Sequence, residues 1–347
     1  MAEKLRIGVL GLSHDHVWSN LQELVHSEHG EITAAADPYP ELRDQLRGQF
    51  AVDAVFADYD ELFERTELDA VYIFADNLHG AELAARAASQ GLHVMTEKPL
   101  AATYADAARM VGAVRRAGVQ LMCNWPIAWW PGVQHALNLV AEGRIGQVWQ
   151  VNYRAAHIGP RELGCSPYFV EWLYDPQLNG AGAYMDYCCY GAALTCHLLG
   201  MPSRVSAMTS RLFKSDLAAD DNAVLVMQHP RGLSTSTASW TQVGHMTSYE
   251  PMIYGTKGTL AVRNDGREVW LANDEMPSGA SLAVPPPAAH MRNATEFFLH
   301  HLRSGTPIEG LCGGEVGLMT QEVLAAGLLA AAEERYVSLP LPVAMLQ

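Results

Sequence analysis

An α/β half followed by an α+β half is the fold class this sequence predicts, and three observations predict it. Over residues 4 to about 125, short β-branched runs alternate with helical stretches. From about residue 147, strand-like runs follow one another with few helices between them. The chain has 347 residues, long for one domain, and chains of this size divide into separate cores. The change of pattern sets the division at residues 1–125 and 126–347.

In the first half the expected strands are 5–10, 31–36, 69–74, 93–96 and 120–123, and the expected helices are 19–28, 41–48, 79–90 and 104–117. Apolar strands that alternate with helices imply a parallel sheet covered on both faces and joined by right-handed crossovers. In the second half strands are expected at 147–155, 205–212, 223–228, 233–240, 252–254, 259–263 and 268–271. Gly232 and Asn264-Asp265-Gly266 carry hairpin turn chemistry, so this sheet should be open and mostly antiparallel. Helices at 289–303 and 314–334 close the chain and flank it, and 277–287, rich in Pro, Gly and Ser, reads as a surface loop.

Composition narrows the function. A hydrophobic fraction of 49% describes a chain with ample core. The longest apolar stretches, such as 325–332, are too short for a bilayer. Met1-Ala2-Glu3-Lys4 runs straight into a strand, leaving no room for a signal peptide. A net charge of −15 argues against nucleic acid, which needs clustered Lys and Arg. The six cysteines show no CxxC and no disulfide-framework spacing, the pattern of reduced thiols in a cytoplasmic protein.

Three motifs carry chemistry. The first strand ends in Gly8-Val9-Leu10-Gly11-Leu12-Ser13-His14-Asp15-His16 before a helix, a turn that would aim backbone N–H groups at a pyrophosphate. Only Gly11 of the usual GxGxxG is in place; Ser13 and His16 occupy the other glycine positions. Asp37 ends the second strand, where an acid reads a ribose diol and repels a 2′-phosphate. NAD is therefore favoured over NADP. The second motif, Thr96-Glu97-Lys98-Pro99-Leu100, lies at the C-terminal end of a strand, the ligand-binding edge of a parallel sheet. There a lysine can hold a substrate hydroxyl, and its peptide bond to Pro99 has access to the cis form. The third is Asn179-Gly180-Ala181-Gly182 leading into a helix that carries Asp186 and Tyr190, four apart on one face. Its glycines would let backbone approach a ligand, and the Lys98 charge would lower the tyrosine pKa from its usual value of about 10.

This ordered set resembles the Gfo/Idh/MocA oxidoreductase family. The matching pieces are the Rossmann-like start, Asp37, His79 before a helix, the segment from Gly91 to Ala101, Glu142-Gly143-Arg144-Ile145-Gly146, the helix with Asp186, and Val337-Ser338-Leu339-Pro340-Leu341. The resemblance covers nearly the whole chain. It implies a Rossmann domain that binds NAD(P), a substrate held between it and the second sheet, and dimers or tetramers packed through those sheets. Lys98, Asp186 and Tyr190 match the family's catalytic positions. Cofactor contacts are expected at Gly11, Ser13, His14, Asp37, Asp76, His79, Glu97, Lys98 and Asn124. Sugars, cyclitols and related polyols are the implied substrates. The sequence departs from the family in the glycine turn, at Phe74-Ala75, where Thr-Pro is usual, and in carrying Tyr rather than His at 190.

Other residues complete the expectation. Trp125, in an aromatic-rich junction, suits either sugar stacking or interdomain packing. His157, Arg161 and Trp172 are candidate substrate contacts, and Arg161 would suit an acidic group. His14 with His16, or Cys196 with His197, lacks a visible third ligand, so no metal is assigned. Cys188 and Cys189 read as buried, inert thiols. Hydride transfer between nicotinamide and a carbinol carbon is the leading expectation. The rivals are cleavage of a glycoside through transient oxidation and a sensor that binds NAD without turnover.

Overall fold

The computed structural model describes residues 3–244 and 246–342. The first half forms a six-stranded sheet of β1 (Leu5–Leu10), β2 (Gly30–Ala36), β3 (Ala54–Phe56), β4 (Ala70–Ile73), β5 (His93–Glu97) and β6 (Leu121–Asn124). Its order is β3-β2-β1-β4-β5-β6, and every neighbouring pair is parallel. The intervening helices are α1 (His16–His26), α2 (Pro40–Gln49), α3 (Tyr59–Arg65), α4 (Asn77–Ser89) and α5 (Tyr104–Ala117). Strands buried on both faces must be apolar throughout, which is why β4 and the end of β1 read so clearly. Local chemistry ends the helices: Thr103 caps α5 by accepting the Asp106 N–H, and Gly118 closes it in the left-handed region. The strand order reverses between β1 and β4, which opens a crevice at their C-terminal ends.

The second half adds α6 (Pro131–Ala141), β7 (Val148–Ala156), α7 (Pro167–Leu173), α8 (Pro176–Asn179) and α9 (Cys189–Leu199). Strands β8 (Arg204–Ser210), β9 (Asn222–His229), β10 (Gly232–Ser239), β11 (Met252–Gly255), β12 (Gly258–Arg263), β13 (Glu268–Ala272) and β14 (Ala280–Leu282) follow. α10 (Ala294–Ser304), α11 (Gly314–Ala332) and β15 (Val337–Ser338) end the described chain. The nine strands run β14-β13-β12-β11-β7-β10-β9-β8-β15. All neighbours are antiparallel except β7 and β10, which pair in parallel. In β9 the alternation is plain: Ala223, Leu225 and Met227 face inward, while Val224 and Val226 face out. α9 and α11 cover the inner face, and α11 also packs on α5 of the first half.

Several expectations are corrected. The 277–287 loop contains β14, which extends the sheet edge on β13. The helix expected at 289–303 is a 3₁₀ turn at Ala289–Met291 and then α10, which starts where Asn293 accepts the Glu296 N–H. α11 is the one helix among the described residues long and apolar enough to cross a membrane, but 56% of that span is buried inside the fold. Its apolar character serves the core.

Candidate active site

At the end of β1 the chain turns at Gly11 with φ +83°, where a Cβ would lie 2.5 Å from the Ala75 nitrogen. Only glycine fits there. Asp37, leaving β2, accepts the Leu12 N–H at 2.6 Å and the Tyr39 N–H at 2.7 Å. Burial pushes its carboxyl up to about 6, against the pull of those two N–H groups. Beside this turn lies a cavity of about 600 Å³ whose wall includes Ser13, Asp37, Ala75, Asp76, His79 and Trp172. Asp76 caps α4 by accepting the Leu78 and His79 N–H groups, and its other oxygen lies 2.7 Å from His79 Nδ1. Asp58, Asp60 and Glu82 share the wall. Arg86, in the same wall, is paired with Asp60, and Arg43 donates to the Asp37 and Pro38 carbonyls. A 2′-phosphate would meet an acidic surface.

Lys98 leaves the end of β5 beside a cis peptide bond to Pro99. Its Nζ pairs with the Asp186 carboxylate and donates to the Asp186 carbonyl at 3.2 Å. Both side chains are 5% exposed. Trp240 Nε1 donates to the other Asp186 oxygen at 3.1 Å. Burial opposes the lysine charge, but Asp186 and the other anionic neighbours outweigh it, so its pKa stands above the ordinary lysine value. The ammonium lies 5.0 Å from the centre of the Tyr190 ring and 5.8 Å from that of Tyr187. Lysine, aspartate and tyrosine therefore converge. The expected lowering of the Tyr190 pKa does not occur: burial pushes its phenol well above the usual value, and the ammonium lies over the ring.

The backbone beneath these residues differs from the expected uniform helix. Tyr184–Cys188 form a π-helical turn before α9 begins, a widened geometry that recurs at functional sites. The Asp220 carboxylate holds its start by accepting the Gly182 N–H at 2.9 Å and the Tyr184 N–H at 2.7 Å. The glycines make room for protein and not for a ligand. A Cβ on Gly180, at φ +97°, would lie 2.2 Å from the Ala102 carbonyl oxygen, and one on Gly182 would lie 2.0 Å from that of Asp220.

Glu97, one residue before Lys98, is buried. Asn124 Nδ2 donates to its Oε1 at 2.7 Å and is itself oriented by Trp129 Nε1, which donates to Asn124 Oδ1. His16 Nδ1 lies 3.0 Å from Glu97 Oε2, and His14 Nε2 lies 3.9 Å from the same oxygen. The His14 ring is buried under Phe169 and Trp172 of α7, at centroid distances of 4.7 and 5.7 Å, and burial, helped by the Lys98 ammonium, holds its pKa well below the usual histidine value. None of Lys98, Asp186 and Tyr190 lines the 600 Å³ cavity.

The proposed substrate contacts separate. Trp125 is fully buried, packs edge-on against Tyr190 at 5.9 Å and has no partner for its Nε1. His157 accepts the Gly159 N–H on Nδ1 at 2.8 Å, so its proton sits on Nε2. Burial lowers its pKa to about 4, against the attraction of Asp186. It is a neutral donor. Trp172 stands in the cavity wall with the cofactor candidates. The Arg161 guanidinium is exposed, paired with Asp216 at 2.6 Å and stacked over Tyr174. Residues not singled out in the sequence complete the site. Tyr187 and Tyr249 ring Tyr190 at 6.3 Å, Tyr153 stacks on it at 6.1 Å, and Trp240 holds Asp186. Tyr249 sits at φ +58°, a strained position for a bulky residue; no motif marks it in the sequence.

A doubly wound nucleotide-type sheet joined to a buried Lys–Asp pair defines a dinucleotide-linked oxidoreductase. Residues 5–125 match the oxidoreductase family with an NAD-binding Rossmann fold, and residues 133–261 match the Gfo/Idh/MocA C-terminal domain. A dTDP-3,4-didehydro-2,6-dideoxy-α-D-glucose 3-reductase of Streptomyces violaceoruber is 32% identical over 69% of this chain and 70% of its own. The chain belongs to the Gfo/Idh/MocA oxidoreductase family. D-Apiose dehydrogenase of Paraburkholderia graminis is 27% identical over 96% of this chain and 88% of its own. Among solved structures, levoglucosan dehydrogenase with NADH and levoglucosan superposes with a TM-score of 0.83 at 19% identity, covering 98% of this chain and 100% of that one. An Agrobacterium radiobacter oxidoreductase with NAD+, L-tartaric acid and magnesium gives 0.82 at 19% identity, covering 97% and 98%. At such identities the structures establish the shared fold.

Proposed function

We propose that this protein uses NAD to oxidise or reduce a hydroxyl-bearing carbon of a sugar, cyclitol or related polyol, with Lys98, Asp186 and Tyr190 at the reacting centre. The observation that carries this reading is the buried Lys98–Asp186 pair at the C-terminal end of β5, with the Tyr190 ring against it. The cofactor fits the residues present: Gly11 lets the turn after β1 pack against Ala75, and Ser13, Asp37 and Asp76 border the cavity beside it. When bound, nicotinamide supplies the hydride acceptor or donor. The acidic wall favours NAD over NADP.

Lys98 donates a hydrogen bond to the substrate oxygen, while Asp186 and Trp240 fix the direction of the ammonium. The His157 Nε2–H and the unpartnered Trp125 Nε1–H supply further donors of the kind a polyhydroxylated substrate needs. Tyr190 carries the proton. Because burial raises its pKa, it remains a neutral phenol near pH 7 and acts as an acid toward a carbonyl. In the oxidative direction it must first give up that proton. The reading is tested by following NADH formation from aldoses, cyclitols and open-chain polyols between pH 7 and pH 10. At least one class should reduce NAD+, at a rate that climbs with pH in wild type and loses that climb in Tyr190→Phe. NADH formation from none of them ends the reading.

The domain boundary near residue 125 and a reducing, cytoplasmic setting belong to the same proposal; six free thiols accord with the setting. So does a homodimer formed through the outer face of the second sheet, where Met208, Val224, Val226 and Leu233 are exposed side by side on β8, β9 and β10.

A further inference from the structure

His14 and His16 stand in a turn where the dinucleotide fold ordinarily places glycine, and an HxH pair cannot hold an ion without another ligand. The fold supplies one that sequence spacing does not show. Glu97, at the end of β5, brings a carboxylate oxygen to both imidazoles, and the three ligand atoms lie within 4.8 Å of one another. We propose that His14, His16 and Glu97 form a site for a divalent transition-metal ion of the zinc type, and that this ion and the dinucleotide exclude each other.

The geometry is close to what zinc takes. Bonds of about 2.0–2.1 Å place ligand atoms about 3.4 Å apart in a tetrahedral shell. Glu97 Oε2 lies 3.0 Å from His16 Nδ1 and 3.9 Å from His14 Nε2, on either side of that spacing. His14 is buried, and among the described residues its Nε2 makes no hydrogen bond; the Glu97 oxygen is beyond that range. His14 Nδ1 accepts the His16 N–H at 3.2 Å. Metal uptake at Nε2 moves the ring proton to Nδ1, so this long contact opens as the ion enters.

The surroundings suit a cation. Asn124 and Trp129 fix Glu97 through its other oxygen, the outer support that ligating carboxylates require. The Lys98 ammonium, whose charge reaches His14, is already paired with Asp186. Two imidazoles and one carboxylate prefer zinc-type ions to magnesium or calcium, which take oxygen. Three protein ligands leave a fourth position open.

Exclusion follows from the shared residues and rests on the cofactor reading above. The family resemblance gives His14 and Glu97 to the dinucleotide as well, and with an ion on Glu97 Oε2 and Asn124 already on Oε1 the carboxylate has less acceptor capacity left for a ribose hydroxyl.

The test uses the full chain freed of metal and cofactor. Calorimetric titration with Zn2+ should show one equivalent bound, and Co2+ in its place should give visible ligand-field absorption. His16→Ala should weaken Zn2+ at least about hundredfold, since changes to residues merely supporting a metal ligand cost about 10–100-fold. His300→Ala, in the surface pair His290 and His300, should leave Zn2+ affinity unchanged. Saturating Zn2+ should weaken NAD+ at least tenfold. The Zn2+ titration contains no cofactor, so its failure is read separately from a failure of NAD+ to bind the metal-free protein. No Co2+ absorption in wild type, equal Zn2+ affinity in wild type and His16→Ala, loss of binding in His300→Ala, or undiminished NAD+ affinity at saturating Zn2+ would each overturn the proposal.

Discussion

On the proposed function, Asp37 would tie cofactor choice to pH. It ends β2, holds the glycine turn through the Leu12 N–H and has its pKa pushed up to about 6 by burial. A carboxylate reads a ribose diol as an acceptor, so binding weakens once it is protonated. NAD+ affinity should be flat above pH 7 and fall as pH drops through 6, measured by fluorescence titration. Asp37→Asn should abolish that fall and narrow the preference for NAD+ over NADP+ about tenfold, by loss of one charge repulsion and one charge-assisted hydrogen bond. Retention of the wild-type pH profile in Asp37→Asn would assign the effect elsewhere. At this scale the sequence was informative wherever identity alone decides chemistry: Asp37, Lys98 and Asp186 stand where their motifs suggested. It was misleading where a neighbour decides. Arg161 is paired with Asp216, and burial pushes the Tyr190 phenol above its usual value.

The π-helical turn at Tyr184–Cys188 is the element on which the site depends. It sets Asp186 toward Lys98, and Asp220 holds its first N–H groups. Asp220→Ala leaves the Gly182 and Tyr184 N–H groups without an acceptor and should cost about 1–3 kcal/mol. Urea unfolding measures that loss, and kcat should fall with it as Asp186 loses its position. An unchanged urea midpoint would show that the turn needs no such anchor. None of this was legible in advance. The sequence places a helix after Gly182 that carries Asp186 and Tyr190, but it cannot show that one turn is widened. It also cannot show that Gly180 and Gly182 serve the close approach of Ala102 and Asp220 rather than a ligand. The buried strands of the first sheet were legible because both faces are covered. Three-residue β3 is too short to leave a periodic trace, and the parallel pairing of β7 with β10 joins segments far apart in sequence.

The whole molecule joins two sheets through α11, which packs on α5, α9 and β8, so residues from both halves meet at Lys98. The outer face of the second sheet exposes Met208, Val224, Val226 and Leu233 in a single chain. Its alternation, with Leu225 inward and Val224 and Val226 outward, would be costly if the outer apolar row faced water. Val226→Lys should convert a dimer to a monomer in sedimentation velocity. Wild type sedimenting as a monomer at micromolar concentration would remove that face from the account.

The most direct measurement is single-turnover reduction of NAD+ by an active polyol in Lys98→Met, alongside wild type. Removing one partner of a buried pair costs stability, about 3–5 kcal/mol, so cooperative unfolding and retained NAD+ binding are checked first. With both intact, a rate reduced about 10²–10⁴-fold, the range typical of lost proton-transfer assistance, is the predicted result. A rate within a few-fold of wild type would show that the ammonium held by Asp186 takes no part in the reaction.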